Sequence, residues 1–399
     1  MTFAADARVD RMRARDARLL VAVPPGDLLA RGMEHMGSTS IASSARRAAT
    51  AASLALPFLA GCSSEAPQSW LNAQGPASRA VIDLFWPITI TATLVFFVVQ
   101  GLIIYSVLKY RARPDGPEAE QFHGNLTVEL GSTIITALVF IVVLAMTVNT
   151  QRVLSAPLDN PKEALTIKVI GHQWWWEFQY ADDGIITGSD MVIPTGKPII
   201  VEITSVDVIH SFWVPMLAGK MDAIPGRENR MYLEAEREGI YSAQCAEFCG
   251  IQHALMRFDV VALSPEAYEK WRTVHKAVPA EPNATSTDPS IVLQAKGAQV
   301  FQAGACKTCH AIEGTAAKGK VGPNLTYFAG RTSVAGKTLP NTVENVKAWL
   351  RNPQAVKPGT LMPNLNLKED EIDALAAYLC RPIDSSVSTG CQVPSTAKK

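Results

Sequence analysis

The densest run of reactive side chains in this 399-residue chain is Tyr241-Ser-Ala-Gln-Cys245-Ala-Glu247-Phe-Cys249-Gly-Ile-Gln-His253-Ala-Leu-Met256, with His210 lying 35 residues before the first cysteine. Two thiols, two imidazoles and a thioether form a soft donor set that suits copper better than a hard cation. A mononuclear blue-copper site takes one Cys, two His and a weak Met. The second Cys, four residues after the first, lets two thiolates bridge two coppers, each with one terminal His, leaving Met256 and a main-chain carbonyl as weak ligands. Shared thiolates allow an electron to be delocalised over the pair with little rearrangement, which suits a relay rather than a catalyst. The competing readings are a Cys245–Cys249 disulfide, which leaves His210, His253 and Met256 unexplained, and a structural zinc site.

A second constellation follows downstream. Cys306-Lys-Thr-Cys309-His310 is the c-type haem attachment pattern, in which two thiols bond to the haem vinyls and the next residue is the proximal iron ligand. Lys357-Pro-Gly-Thr-Leu-Met362-Pro supplies a Met on a Pro- and Gly-bounded loop, and no other Met occurs after Met256, so Met362 is the second axial candidate. A thioredoxin-like redox pair would leave His310 and Met362 unused, and no βαβ pattern surrounds the cysteines. Cys380 and Cys391 remain in the same unit, and a disulfide closing a short loop is the economical pairing.

These sites need elements to hold them. Residues 87–108 and 130–148 are two uncharged apolar runs, each long enough to cross a bilayer, and together they predict a transmembrane hairpin. Lys109, Arg111 and Arg113 open the connecting segment, placing it on the cytoplasmic side and both ends outside. Trp70, Trp86 and Tyr105 fall near the expected interfaces. Upstream, Arg46-Arg47, an apolar stretch and Leu59-Ala60-Gly61-Cys62 read as a secretory signal, with Met33 or Met36 as its expected start. From Leu165 to Val261 short β-branched runs punctuated by Pro and Gly predict a small sandwich. A Pro-, Ala-, Ser- and Thr-rich stretch after Val278 reads as a flexible linker, and helical runs at 293–304, 343–352 and 369–380 frame the haem motif. The expected division is a leader over 1–61, a hairpin unit over 62–158, a β domain over 159–275, a linker over 276–290 and a helical haem domain over 291–399.

Lys plus Arg and Asp plus Glu number 37 each, which argues against a protein built to bind nucleic acid. The balance is local, however. Residues 159–275 carry 17 acidic and 10 basic side chains, and residues 291–399 carry 7 and 13. The two domains should attract each other across their linker in a salt-dependent way.

The hairpin, Gly171-His172-Gln173-Trp174-Trp175-Trp176, His210-Ser-Phe-Trp-Val-Pro215, Met221-Asp222-Ala-Ile-Pro-Gly-Arg227 and the cysteine segment together resemble subunit II of the haem-copper cytochrome c oxidases, and the last unit resembles class I cytochrome c. The combination is similar to the fused subunit II of caa3-type bacterial oxidases. The resemblance implies a multidomain chain: two transmembrane helices, an all-β cupredoxin sandwich and an all-α cytochrome c domain. It implies a binuclear CuA centre on His210, Cys245, the Glu247 carbonyl, Cys249, His253 and Met256. Trp174 matches the tryptophan through which electrons arrive, and the Glu247 side chain matches the carboxylate that reaches a magnesium ion shared with subunit I, with Asp222 in the matching loop. Glu129 resembles the acid that starts a proton path, although Ser132 and Thr136 stand where the family carries Trp and Pro. Gly322-Pro323 resembles the loop whose carbonyl orients the haem-ligating His. Leu59-Ala-Gly-Cys62 resembles a lipoprotein signal with Cys62 as the lipidated residue. As a family, such chains belong to a proton-translocating oxidase of the bacterial inner membrane, with subunits I and III and membrane lipid as partners and a cytochrome bc complex or soluble cytochrome c as donor. The alternatives are a protein like nitrous oxide reductase, which lacks the hairpin and needs a His-rich catalytic domain that seven His cannot supply, and a quinol oxidase subunit II, which has lost the copper ligands.

Overall fold

The computed structural model describes residues 66–111, 116, 121, 123–159, 164–382 and 391; the leader, Cys62 and Arg113 lie outside them. Helix α1, Pro76–Lys109, begins with Pro at its first turn, where a missing N–H costs nothing, and α2 is Leu126–Asp159. At the start of α2 the Asn125 carboxamide accepts from the N–H groups of Thr127 and Val128, while the Glu129 carboxylate accepts from Asn125 N, a reciprocal cap. Side chains along the middle of both helices, such as Phe96, Phe97, Phe140 and Ile141, are exposed, as a lipid-facing hairpin requires.

Both helices run beyond the apolar spans expected from sequence. The extra turns serve packing rather than spanning. Ala77 and Ser78 are buried, and Ser78 Oγ donates to the carbonyl of Met216 at 2.8 Å. Leu154 and Leu158 at the far end of α2 pack on the core of the β domain. The hairpin is thus plugged into the domain it carries.

That domain is a sandwich of two five-stranded sheets. One has the order β3 (Ile185–Gly188), β2 (Trp175–Tyr180), β1 (Leu165–His172), β5 (Ile199–Ser205), β8 (Asn229–Leu233). The other has the order β4 (Asp190–Pro194), β10 (Arg257–Leu263), β9 (Gly239–Cys245), β6 (His210–Trp213), β7 (Lys220–Ala223). β1 pairs parallel with β5 and β4 with β10; every other pair is antiparallel. Inward side chains fill the gap between the sheets, with Trp176, Phe178, Phe212 and Phe258 in mutual ring contact. Helix α3, Pro265–Lys276, capped by Ser264, closes one end with Tyr268, Trp271 and His275 stacked in series.

The last unit is helical: α4 (Pro289–Ala303), the single turn α5 (Cys306–Cys309), α6 (Val343–Arg351), the turn α7 (Pro353–Val356) and α8 (Glu369–Leu379). A short ribbon, β11 (Ser333–Val334) with β12 (Leu339–Pro340), projects from it. The sulfurs of Cys380 and Cys391 are bonded. The stretch expected to be a flexible linker is fastened over its first residues: the Tyr327 hydroxyl donates to the carbonyls of His275 and Ala277, and the Glu281 carboxylate takes the Tyr378 hydroxyl and Arg381. Composition predicted a chain with nothing of its own to bury, and it is the neighbouring domain that supplies the partners.

Candidate functional site

The copper-type residues converge at one end of the second sheet. His210 opens β6, Cys245 closes β9, and the loop between β9 and β10 returns with Cys249, His253 and Met256, closed by a hydrogen bond from Cys245 N to Met256 O of 2.9 Å. The two sulfurs lie 3.8 Å apart and are free thiols, so the disulfide reading is excluded. His210 Nδ1 is 4.0 Å from Cys245 Sγ, His253 Nδ1 is 3.6 Å from Cys249 Sγ, and Met256 Sδ is 3.7 Å from Cys249 Sγ. The Glu247 carbonyl sits 3.2 Å from Cys245 Sγ. All the expected donors are therefore together, and the set of two shared sulfurs with one imidazole beside each fits a binuclear soft metal.

Asp207, which the sequence reading passed over, accepts from His210 Nε2 at 2.8 Å and so turns Nδ1 towards the sulfurs. The carboxylate three residues before a ligand His was the available signal. Burial opposes its charge, but hydrogen bonds from His210 and from the N–H groups of Val208 and Gln173 hold the Asp207 carboxyl down at about 2. Burial likewise works against a charged His210 ring, yet the bonds to Asp207 and Cys245 hold its pKa above the ordinary value. Contact with Cys249 and the hydrogen bond with His210 hold the Cys245 thiol well below its ordinary range, while the same sulfur contact and burial push Cys249 up. One thiolate thus forms readily, the state a metal takes.

Of the three tryptophans, Trp175 and Trp176 are core and Trp174 is half-buried. Trp174 Nε1 and Gln173 Nε2 both donate to the carbonyl of Cys249, at 2.9 and 2.8 Å. The Glu247 side chain is exposed, and Asp222 accepts from Ser211 Oγ at 2.8 Å.

The haem-type residues line one apolar crevice, which contains Cys306, Cys309, His310 and Met362 together with Phe301, Leu325, Phe328, Trp349 and Leu375. Both cysteines are free, as thioether formation needs. His310 Nδ1 donates to the carbonyl of Pro323 at 2.8 Å, which leaves Nε2 as the ring nitrogen a metal would take, and burial holds the ring's pKa below normal, as a neutral ligand needs. Gly322 is required there, because a Cβ would lie 2.4 Å from His310 Cε1. Gln354 Nε2 donates to the carbonyls of Thr360 and Met362, fastening the methionine loop.

The crevice is walled on one side by Gln173, Trp174, Trp175 and Ser189 of the sandwich. Around that junction, Asp190 accepts from Thr332 N at 2.6 Å and Thr332 Oγ1 at 3.0 Å, and Lys337 Nζ bonds Asp259 and Ser242 Oγ. Nothing in the sequence pointed to these residues, which meet only in the folded pair.

Residues 185–263 match the family model for the periplasmic domain of cytochrome c oxidase subunit II, and residues 294–380 match that for cytochrome c. The chain is 38% identical over 328 residues to cytochrome c oxidase subunit 2 of Alkalihalophilus pseudofirmus, covering 81% of this chain and 93% of the relative. It is 32% identical over 345 residues to the Bacillus subtilis protein of that name, with the same coverage. A quinol oxidase subunit 2 of Bacillus cereus is 33% identical over 223 residues, covering 54% of this chain and 75% of the relative. The chain therefore belongs to the cytochrome c oxidase subunit II family, as a membrane-anchored member whose sandwich domain implies a CuA centre and whose fused cytochrome c domain implies a haem c.

Proposed function

We propose that this chain receives electrons for a haem-copper oxidase at a covalent haem c held by Cys306, Cys309, His310 and Met362 and passes them through CuA, held by His210, Cys245, the Glu247 carbonyl, Cys249, His253 and Met256, to the haems of subunit I, where oxygen is reduced to water with proton translocation. When bound, the haem and the copper pair supply reversible one-electron exchange. The observation that carries the reading is the pair of unjoined thiols 3.8 Å apart, flanked by His210 and His253, at the far side of Trp174 from the haem crevice.

The protein's part is holding and shielding. Asp207 fixes the tautomer of His210, Pro323 O fixes that of His310, and Gln354 holds Met362 against the crevice. Trp174, bonded to the main chain of Cys249, is the residue between the two sites. Glu247 and Asp222 are the proposed side of a magnesium site facing subunit I. Glu129 is proposed at a proton path, and its cap on α2 gives it a second, structural duty. Both ends of the hairpin are placed outside, with Lys109 and Arg111 on the cytoplasmic flank, subunit III alongside, Cys62 as lipid anchor and a cytochrome bc complex or soluble cytochrome c as donor. Presence of both Cys and both His favours this reading over a quinol oxidase subunit, and the hairpin favours it over a nitrous-oxide-reductase-like protein.

Purified full-length protein should hold two coppers with near-infrared absorption and one haem c per chain. One copper, or none with Cys245 intact, overturns the CuA assignment. Replacing Met362 should remove the Met-to-iron band, and an unchanged spectrum overturns the axial assignment.

A further inference from the structure

Lys357 belongs to the haem domain and lies five residues before the axial candidate Met362, yet its ammonium reaches into the sandwich domain. Nζ donates to the carbonyl of Trp174 at 3.2 Å and to that of Leu255, the neighbour of Met256, at 3.0 Å. The residue is only 3% exposed, no carboxylate among the described residues bonds it, and burial pushes its pKa down to about 8. A cation placed there is expensive unless its geometry is satisfied. Gly336 closes the same spot from the haem side: its φ is +66°, and a Cβ on it would lie 2.9 Å from both Leu255 O and Lys357 Nζ. Two chain segments of one domain thus seat against two carbonyls of the other, one beside each redox site.

We propose that Lys357 is a positioning residue for internal electron transfer: by bonding the main-chain oxygens of Trp174 and Leu255 it sets the register in which the haem crevice lies against the copper loop. The inference rests on the function proposed above. In the step it serves, one electron leaves ferrous haem, which becomes ferric, and reduces the copper pair by one; no proton or bond is exchanged.

The test uses full-length protein loaded with copper and haem, in which a photoexcited ruthenium complex reduces the haem and transfer is followed at the haem visible and copper near-infrared bands. Lys357→Met, which keeps the stem and removes the charge and donors, should slow transfer about tenfold or more while copper content, haem content and the Met-to-iron band stay as in the parent. Lys357→Arg, which restores a cationic donor, should recover part of the rate, which loss of packing alone would not allow. A Lys357→Met rate within twofold of the parent overturns the proposal. Should that variant fail to accumulate, Gly336→Ala wedges the same contact without touching the charge; slowed transfer supports the proposal, and an unchanged rate overturns it. Failure of the underlying function is separately visible, since the parent protein itself would then lack copper or haem signals.

Discussion

Gly297→Ala should loosen the haem domain, although on a helix alone the change is favourable. Gly297 lies within α4 where it crosses α8, and a methyl there would sit 2.0 Å from Ala374 O, 2.6 Å from Ala374 C and 2.7 Å from Tyr378 Cβ. Ordinary contact begins near about 3.5 Å, so the two helices must part by more than about 1 Å, because the atoms met are main chain and not the tip of a flexible side chain. Two effects compete. Ala is the better helix former by about 1 kcal/mol. Against it, overpacking costs about 1–3 kcal/mol, and a gap of about 1 Å forfeits up to half of each dispersion contact along the crossing. Phe301, Leu375, Tyr378 and Leu379 all sit in that core, which puts the clash at the upper end. The net effect is about 2 kcal/mol against the folded state, or about 30-fold in a local opening constant. Hydrogen exchange on the full-length haem-loaded protein reads it directly: amides of α4 and α8 should exchange about 30-fold faster while those of β1 and β5 do not change. Equal or better protection of α8 in the variant would mean that helix propensity outweighs the steric argument.

Asp190 gives a pH prediction. Burial pushes its carboxyl up to about 6, with the Asp259 charge adding, while the Thr332 N–H and hydroxyl and the Arg331 charge pull it back. A folded pKa above the unfolded value of about 3.9 means that the folded state holds the proton more tightly, so this contribution is complete below about pH 4 and is lost as pH rises through about 6, amounting to about 3 kcal/mol at neutrality. Asp190→Asn should flatten the decline in thermal stability across that window; an unaltered slope refutes it. Internal haem-to-copper transfer should change less than about twofold between about 0.05 and 0.5 M salt, because buried contacts are screened little. A steep fall with salt would favour a free haem domain steered by long-range charge, which is what the sequence alone suggests.

What sequence reading could see, it saw where the reactive residues are near neighbours. The copper loop and the haem motif each hold most of their donors within one short segment, so spacing carried the chemistry. Strands β1, β5, β8 and β10 were visible as β-branched runs because each buries one face or both. The ends of α1 and α2 were not visible, since hydropathy marks the part that meets lipid and is silent about turns that plug into another domain. Asp207 was hidden because a carboxylate on a loop looks like solvent contact until its partner His is placed. The junction was hidden most of all: Thr332 and Asp190 are 142 residues apart, and no local pattern connects them.

Zero net charge had suggested two domains of opposite sign drawn together from a distance. In the folded chain the positive residues that matter are few: half-buried Lys337 on buried Asp259, buried Arg331 beside Asp190, and buried Lys357 on two carbonyls. Buried ion pairs add little net stability, since desolvation offsets most of their attraction, but leaving one partner unpaired costs about 3–5 kcal/mol. A haem domain slid or rotated from this pose would strand buried Lys357 and Asp259 without their partners. The same side chains that contribute little to how tightly the domains hold therefore decide where the haem crevice lies relative to Trp174.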